Sequence, residues 1–391
     1  MSNTNCRLCQ MGAGSEPELS QRQMAAKYGV GKASVGRHRK HLAVTQAAAD
    51  LRGASSAPVP GDEEFAGIPG ELVTARGASI QREDGSWVKV SWKPNAKALH
   101  DALSYDDLAD IISAPLTPVY DPDYLAAHTE VLCASDLQIG KAMQRGGGTP
   151  ETLKRARQSL SAATLRYSIT RPECIVIADG GDPIENIFNV KGQLVTNDLD
   201  VTAQIRTFRR LMAEFIRTLA PLAPEIVYLS VPSNHGAVRN GYGADSQAGT
   251  VDADFGLDIN YSLEEQFEGR EGFEHVRFVR PEGLEETAVL DTSGTRLAFN
   301  HGHRSGGILK HGEWWARQDH GRRPGYDADI LVMSHYHSFN VGHSGNGRWI
   351  ISASSSDPGS DWFTNRTGEA ARQGMTAFSV RDGQWSDLAI L

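Results

Sequence analysis

The sequence predicts a mixed α/β domain preceded by a small helical head. Three observations predict it. From about residue 128, short apolar runs of β-forming residues recur, each closing on residues of metal-binding type. A long amphipathic stretch lies between the second and third runs, and strands alternating with helices argue an α/β layer structure. The first 52 residues carry 8 Lys+Arg against 3 Asp+Glu, leaving 31 of the chain's 39 basic and 45 of its 48 acidic residues to the rest. In a chain of net charge −9, a basic head on an acidic body suggests that the head meets an anionic partner.

Composition sets the outer bounds. With 391 residues, 40% of them hydrophobic and 22% charged, the chain can bury a sizeable core. No apolar run approaches the roughly 18 residues that a membrane helix needs. The start has no charged-then-apolar signal region, so the expectation is a cytoplasmic protein without a membrane partner. Four cysteines in a chain this long do not make a disulfide framework.

Residues 1–43 read as a compact basic head. Ser20 and Gln23 have capping-box spacing, and Ala25, Ala26, Val30, Val35 and Leu42 give the small-apolar skeleton of a helix-turn-helix. The turn is Gly29-Val30-Gly31. The second helix, Lys32 to His41, would present Lys32, Ser34, Arg37, Arg39 and Lys40 to DNA. Cys6 and Cys9, with His38 and His41, suit a tetrahedral structural zinc site; the alternative is free thiols and histidines of a basic helix. Residues 44–70, rich in Ala, Ser, Gly and Pro, read as a flexible linker. In residues 71–127, Asp84-Gly85 separates two β-like runs as a hairpin signal, and residues 97–113 have helical spacing.

Residues 128–391 form the main domain. Its apolar runs are EVLCAS, CIVIA, EIVYLSV, TRLAFN and ADILVMS, and the stretch VTAQIRTFRRLMAEFIRTLAPL has the spacing of an amphipathic helix. Past the ends of the five runs stand Asp136, Asp182, Asn234, His301, and the pair His335 and His337. One Asp or Asn after a strand is an ordinary turn residue. Five strand ends in succession are a pattern, since functional groups in such sheets collect past the strand ends. Two carboxylates, an amide and three imidazoles suit Mn²⁺, Fe²⁺ or Zn²⁺ better than Ca²⁺ or Mg²⁺ alone. Cys133 and Cys174 fall inside strands and read as inert core thiols.

This ordered set resembles the calcineurin-like metallophosphoesterases. The matching stretches are Asp136-Leu137-Gln138, Gly181-Asp182-Pro183-Ile184-Glu185, Ser233-Asn234-His235-Gly236, His301, and Ser334-His335-Tyr336-His337. The resemblance covers roughly residues 128–360 and implies a four-layer αββα sandwich with two divalent ions, Mn²⁺ before Fe²⁺, Zn²⁺ or Mg²⁺. It implies that Asp182 bridges both ions. Asp136, His337 and Gln138 would complete the first, and Asn234, His301 and His335 the second. His235 would face the phosphate, and a hydroxide between the ions would attack phosphorus. Three positions depart from the pattern: Gln138 stands for a His, Glu185 for an Asp and Gly236 for an acid. His303 is an additional candidate ligand or substrate contact, while His311, His320 and His343 read as loop residues.

Two features point to DNA as the substrate. One is the basic head. The other is residues 303–326, where Lys310, Arg317, Arg322 and Arg323 interleave with Trp314 and Trp315, a combination that suits backbone phosphates and stacked bases. The expectation is therefore a nuclease resembling SbcD-type DNA repair enzymes, with a possible separate ATPase partner and possible self-association. The alternatives are a phosphomonoesterase, nucleotidase or protein phosphatase of the same fold, and a non-catalytic DNA-binding protein.

Overall fold

Along β4 (Pro172–Asp179), Cys174, Val176 and Ala178 face one apolar cluster and Ile175 and Ile177 another, and all five are buried. Alternate residues on a strand point to opposite faces, so a strand apolar on both must be covered on both. The computed structural model describes residues 20–30, 35, 76–81, 87–92, 116–142, 147–188, 196–240, 247–357, 359 and 372–391. The chain divides into two units, Met1–Gly67 and Ile68–Leu391.

In the first unit, α1 (Gln21–Tyr28) starts on the expected capping box, with the Ser20 hydroxyl accepting from the Gln23 amide and the Gln23 side chain accepting from the Ser20 amide. Gly29 ends it at φ 62°, the left-handed conformation that glycine adopts without strain. Met24, Ala25 and Val35 form a small buried cluster, with Tyr28 and Val30 against it. Ala26, expected in this skeleton, is exposed instead, and Met24 takes its place. Lys32, Ser34, Arg37, Arg39, Lys40, Leu42 and the proposed zinc ligands Cys6, Cys9, His38 and His41 lie outside the described residues.

In the second unit, β1 (Arg76–Gln81) pairs antiparallel with β2 (Trp87–Trp92) as the hairpin signal predicts; the turn and residues 97–113 lie outside the described residues. The remaining strands are β3 (Ala126–Cys133), β5 (Glu225–Ser230), β6 (Arg239–Asn240), β7 (Gln247–Ala248), β8 (Val276–Val279), β9 (Thr287–Thr292), β10 (Thr295–Asn300), β11 (Ile330–Met333), β12 (Asn340–His343), β13 (Trp349–Ser352), β14 (Thr376–Arg381) and β15 (Gln384–Ile390). Two sheets result, ordered β15-β14-β3-β4-β5-β8 and β12-β13-β11-β10-β9. Strands β3, β4, β5 and β8 are parallel in the first sheet, and β10, β11 and β13 in the second.

The sheets face each other across Val131, Val176, Val227, Leu229, Leu297, Phe299, Ile330 and Phe378. The outer face of the first sheet is covered by α2 (Thr149–Thr170), α3 (Val201–Leu219) and α4 (Phe255–Phe267). Helix α3 is the amphipathic stretch, burying Phe208, Leu211, Met212, Phe215, Ile216 and Leu219 at helical spacing, with Asp200 capping the Ala203 amide at 2.8 Å. On the second sheet lies α5 (His311–His320), whose Trp314 and Trp315 pack on Ala298, Leu331, Met333 and Ile350. The layers run α, β, β, α. Among the described residues no helix is long and apolar enough to cross a membrane.

One buried ion pair ties α2 to the first sheet. Arg166 Nε meets Glu130 Oε2 at 2.9 Å, and Glu130 is fully buried on β3. Burial opposes the charge on Glu130, but hydrogen bonding from His128 and the Arg166 guanidinium hold its carboxyl below the usual carboxylate range. Arg166→Met strands that carboxylate and is expected to cost about 3 kcal/mol in urea unfolding at neutral pH. Because the carboxyl is depressed in the fold, this contribution is present above its ordinary value and lost as the pH falls through the depressed one. The deficit of the variant should therefore shrink in acid.

Candidate metal centre

Both sheets aim the C-terminal ends of their parallel strands at one region. Asp136 and Gln138 follow β3, Asp182 follows β4, and Asn234 and His235 follow β5. From the second sheet, His301 follows β10, and His335 and His337 follow β11. Backbone hydrogen bonds stitch these loops together. The Asp136 amide donates to the Gly181 carbonyl at 2.9 Å, the Gln138 amide to the Asp182 carbonyl at 3.0 Å, and the Ser334 amide to the His301 carbonyl at 3.1 Å. Each sheet thereby holds its own neighbouring loops in register, and the His335 amide, donating to Asp136 at 3.0 Å, links the two sets.

The local backbone is strained where the ligand-type residues sit. Asp136 (φ 53°), Gln138 (42°), Asp182 (51°), His335 (71°) and His337 (52°) all adopt the left-handed region. Side chains other than glycine avoid it, and such conformations collect at functional sites where surrounding contacts impose them. Gly181 (φ 96°) is needed for a second reason: a Cβ there would stand 2.6 Å from Ser233 Cβ and 2.7 Å from His301 Nδ1.

The side chains meet in two adjoining groups. Among the described residues, the ligand atoms of Asp182, His301 and His335 all lie within 4.8 Å of one another. His301 Nε2 is 2.9 Å from Asn234 Oδ1, 3.2 Å from His335 Nδ1 and 3.3 Å from Asp182 Oδ2. In the second group, His337 Nε2 is 3.6 Å from Asp136 Oδ1. The groups adjoin through Asp136, whose carboxylate accepts from the His335 amide at 3.0 Å and lies 3.9 Å from His301 Nδ1. Asp136, Asp182 and His301 are buried.

The donor chemistry fits a cation. His301 Nδ1 lies 2.8 Å from the Gly180 carbonyl, which can only accept, so Nδ1 carries a proton and Nε2 of the neutral ring is a lone pair. That lone pair faces an amide oxygen, a carboxylate oxygen and another imidazole nitrogen. Asp182 Oδ2 is buried with no hydrogen-bond partner among the described residues. A cation resolves such a convergence of lone pairs, and otherwise a proton must do so. Burial opposes protonation of His301, yet the Asp182 carboxylate outweighs it and raises the ring to about 9. For Asp182 the same attraction to His301 and His235 outweighs burial and holds the carboxyl well below its usual range.

His235 stands beside this group. Its backbone amide donates to Asp182 Oδ1 at 2.8 Å and its Nδ1 lies 2.9 Å from the Glu185 carbonyl, leaving Nε2 uncommitted among the described residues. Burial opposes its charge, but the Asp182 and Glu185 carboxylates raise it to about 9. Glu185 Oε2 is 3.4 Å from His235 Nδ1, so the residue standing for an Asp still supports this ring. At Gly236 a Cβ would come 2.5 Å from Asp254 Oδ2. The Asp254 carboxylate, which also accepts from the Ser233 amide at 2.9 Å and caps α4, fills the space a side chain at 236 would take.

Other expectations are revised. Gln138 does not present a free carbonyl oxygen: Lys141 Nζ lies on its Oε1 at 2.6 Å. His303 packs 5.4 Å from the His301 ring, where burial and the His301 charge lower it to about 4, so it is a neutral neighbour of the group. His311 opens α5, is buried and lies 2.9 Å from the Ser305 hydroxyl; His320 ends α5, and His343 lies in β12. Residues 311–320 form a helix whose apolar face is the two tryptophans, so Trp314 and Trp315 are core and do not stack bases. Lys310, Arg317 and Arg322 are exposed, and Arg323 is paired with Glu285 at 2.7 Å. Arg322 and Arg323 line a cavity of about 770 Å³ with Arg280, Arg296 and Glu282, and none of the strand-end residues lines it. Cys133 and Cys174 are buried free thiols, each pushed up to about 12 by burial.

Two residues absent from the sequence expectation complete the surroundings. Asp357, beyond β13, lies 3.1 Å from His337 Nδ1 through Oδ1 and 2.5 Å from Lys141 Nζ through Oδ2. Like the Gly180 carbonyl at His301, it fixes the tautomer that leaves Nε2 as the ligand atom.

Comparisons with known proteins return only distant structural likeness. No family model matches the sequence, and no curated protein matches it. Among solved structures, the chain is similar to Vps29 from Entamoeba histolytica in complex with Zn²⁺, at 11% identity and a TM-score of 0.30, over 66% of this chain and 88% of that one. It is similar to a predicted phosphoesterase from Streptococcus pneumoniae at 17% identity and a TM-score of 0.20, over 29% of this chain and 62% of that one. It is also similar to a purple acid phosphatase from yellow lupin seeds at 14% identity and a TM-score of 0.29, over 78% of this chain and 55% of that one. Similarity at this level does not decide an activity; the side chains themselves must carry the chemistry.

Proposed function

We propose that the protein is a divalent-metal-dependent phosphoesterase of the calcineurin-like kind, and that its substrate is a phosphodiester of DNA. The observation that carries the first part is the convergence of lone pairs on His301 Nε2 next to the orphaned oxygen of Asp182. Asp182, Asn234, His301 and His335 would hold one ion, and Asp136, Asp182 and His337 the other. Such a pair, when bound, supplies positive charge for a phosphate and lowers the pKa of bound water toward neutrality.

The chain's own residues do the rest. Asp136 and Asp182 are the only carboxylates among the proposed ligands, and the imidazoles and amide are neutral, so two dications would retain net positive charge. His235, oriented through Nδ1 by the Glu185 carbonyl, has Nε2 available to hold a proton for the leaving oxygen. Its backbone bond to Asp182 fixes the ring's position relative to the ligand set.

The DNA assignment rests on the charge of the head and on the capped helix α1, and it stands apart from the metal chemistry. The test is hydrolysis with Mn²⁺ of bis(4-nitrophenyl) phosphate, 4-nitrophenyl phosphate, and single- and double-stranded DNA. The expected result is cleavage of the diester and DNA in preference to the monoester. Preference for the monoester would replace DNA with a nucleotide or phosphoprotein substrate. Removing residues 1–52 is expected to weaken DNA affinity and flatten its salt dependence while sparing the small diester.

A further inference from the structure

We propose that the two ion positions are unequal by construction: Lys141 takes the carbonyl oxygen of Gln138, so the position built on Asp136 and His337 holds its ion weakly and has a fixed ammonium as its neighbour. This rests on the metallophosphoesterase reading and sharpens it. Lys141 Nζ lies 2.6 Å from Gln138 Oε1 and 2.5 Å from Asp357 Oδ2, with the lysine only 8% exposed. An ammonium has donors alone, so the amide atom it meets is the oxygen and the other terminus is the NH₂ group, which has no lone pair for a metal. A dication placed on the same oxygen would face the ammonium across a single atom and be repelled.

The same lysine governs the supporting contact of His337. Asp357 divides its carboxylate between Lys141 and His337 Nδ1, so part of its charge serves the ammonium rather than the imidazole. The Asp136–His337 position is left with Asp136, His337 and a share of Asp182. The other position keeps Asp182, Asn234, His301 and His335 about one point. A third protein ligand of its own is what the weaker position lacks, and a phosphate oxygen of the substrate can supply it. The second ion is then taken up with the substrate rather than stored.

The experiment is a phosphate-free Mn²⁺ titration of the full chain by equilibrium dialysis, with electron paramagnetic resonance to detect a spin-coupled pair. Expected are one tight Mn²⁺ per chain, a second bound at least about tenfold more weakly, and no coupled signal at one equivalent. Gln138→His, which supplies an imidazole and leaves Lys141 on Asp357, should tighten the second ion at least about tenfold and leave the first unchanged. Lys141→Met should also tighten the second ion; should that variant fail to fold, the Gln138→His titration decides alone. Two equally tight ions in the wild type, or a Gln138→His titration identical to it, overturns the inequality while leaving the metallophosphoesterase reading in place. Absence of any bound Mn²⁺ overturns both.

Discussion

Asp182→Ala is expected to abolish Mn²⁺ binding at the His301–His335 position and to reduce diester hydrolysis at least about 10³-fold. The size follows from how many roles meet on one carboxylate. Oδ1 accepts the His235 amide at 2.8 Å and Oδ2 is buried 3.3 Å from His301 Nε2 with no hydrogen-bond partner among the described residues. In the proposed assignment Asp182 also serves both positions. Its loss removes half the negative charge of the proposed ligand set and leaves His301 and His335 with only the more distant Asp136 carboxylate as counter-charge. Metal analysis and turnover should fall together while the circular dichroism spectrum stays unchanged. Hydrolysis at the wild-type rate would sink the assignment of this centre.

Much of that centre is legible in the sequence because strand ends and ligand types coincide. The runs ending before Asp136, Asp182, Asn234, His301 and His335 are all strands, and parallel pairing brings their ends to one edge of each sheet. What a linear pattern does not show is how side chains bind one another. Lys141 stands three residues after Gln138, and only the left-handed turn at Gln138 brings its ammonium back onto the amide oxygen. Asp357 was obscured by distance: β13 ends at Ser352, and Ala353, Ser354, Ser355 and Ser356 intervene. The signal that could have found it is a sixth apolar run, Trp349-Ile350-Ile351, of the same kind as the other five.

Two further differences come from periodicity. Helix α2 is weakly marked in the sequence because its buried face mixes Leu153, Leu160 and Tyr167 with the small Ala156 and Ala163. The spacing of three and four residues is present, but its hydrophobic contrast is low. In residues 311–320 the cations and aromatics look interleaved along the sequence. Helical geometry separates them, turning Trp314 and Trp315 to the second sheet and leaving Arg317 exposed. Adjacent tryptophans among arginines thus reflect an amphipathic helix closing the fourth layer.

Asp357→Asn is expected to weaken Mn²⁺ binding at the Asp136–His337 position by about 10- to 100-fold and to lower the stability of the metal-free chain by about 3 kcal/mol. The two effects have separate origins in one carboxylate. Oδ1 faces His337 Nδ1 at 3.1 Å and fixes the ring so that Nε2 is turned to Asp136. An amide can rotate to offer that nitrogen its NH₂ group, which favours the opposite tautomer and takes the lone pair away from the metal. Oδ2 faces Lys141 Nζ at 2.5 Å, and Asp357 and Lys141 are both buried, so neutralising the acid leaves a buried ammonium with neutral amide oxygens in place of the carboxylate in contact with it. Burial opposes the charge on Asp357, yet Lys141 and His337 hold its carboxyl far below the usual range, the signature of an acid whose ionised form the fold depends on. Urea unfolding without metal reads the second effect and Mn²⁺ dialysis reads the first. A variant that loses stability but binds Mn²⁺ as the wild type does would make Asp357 a counter-ion for Lys141 alone, and His337 would then need no outside help to present its nitrogen.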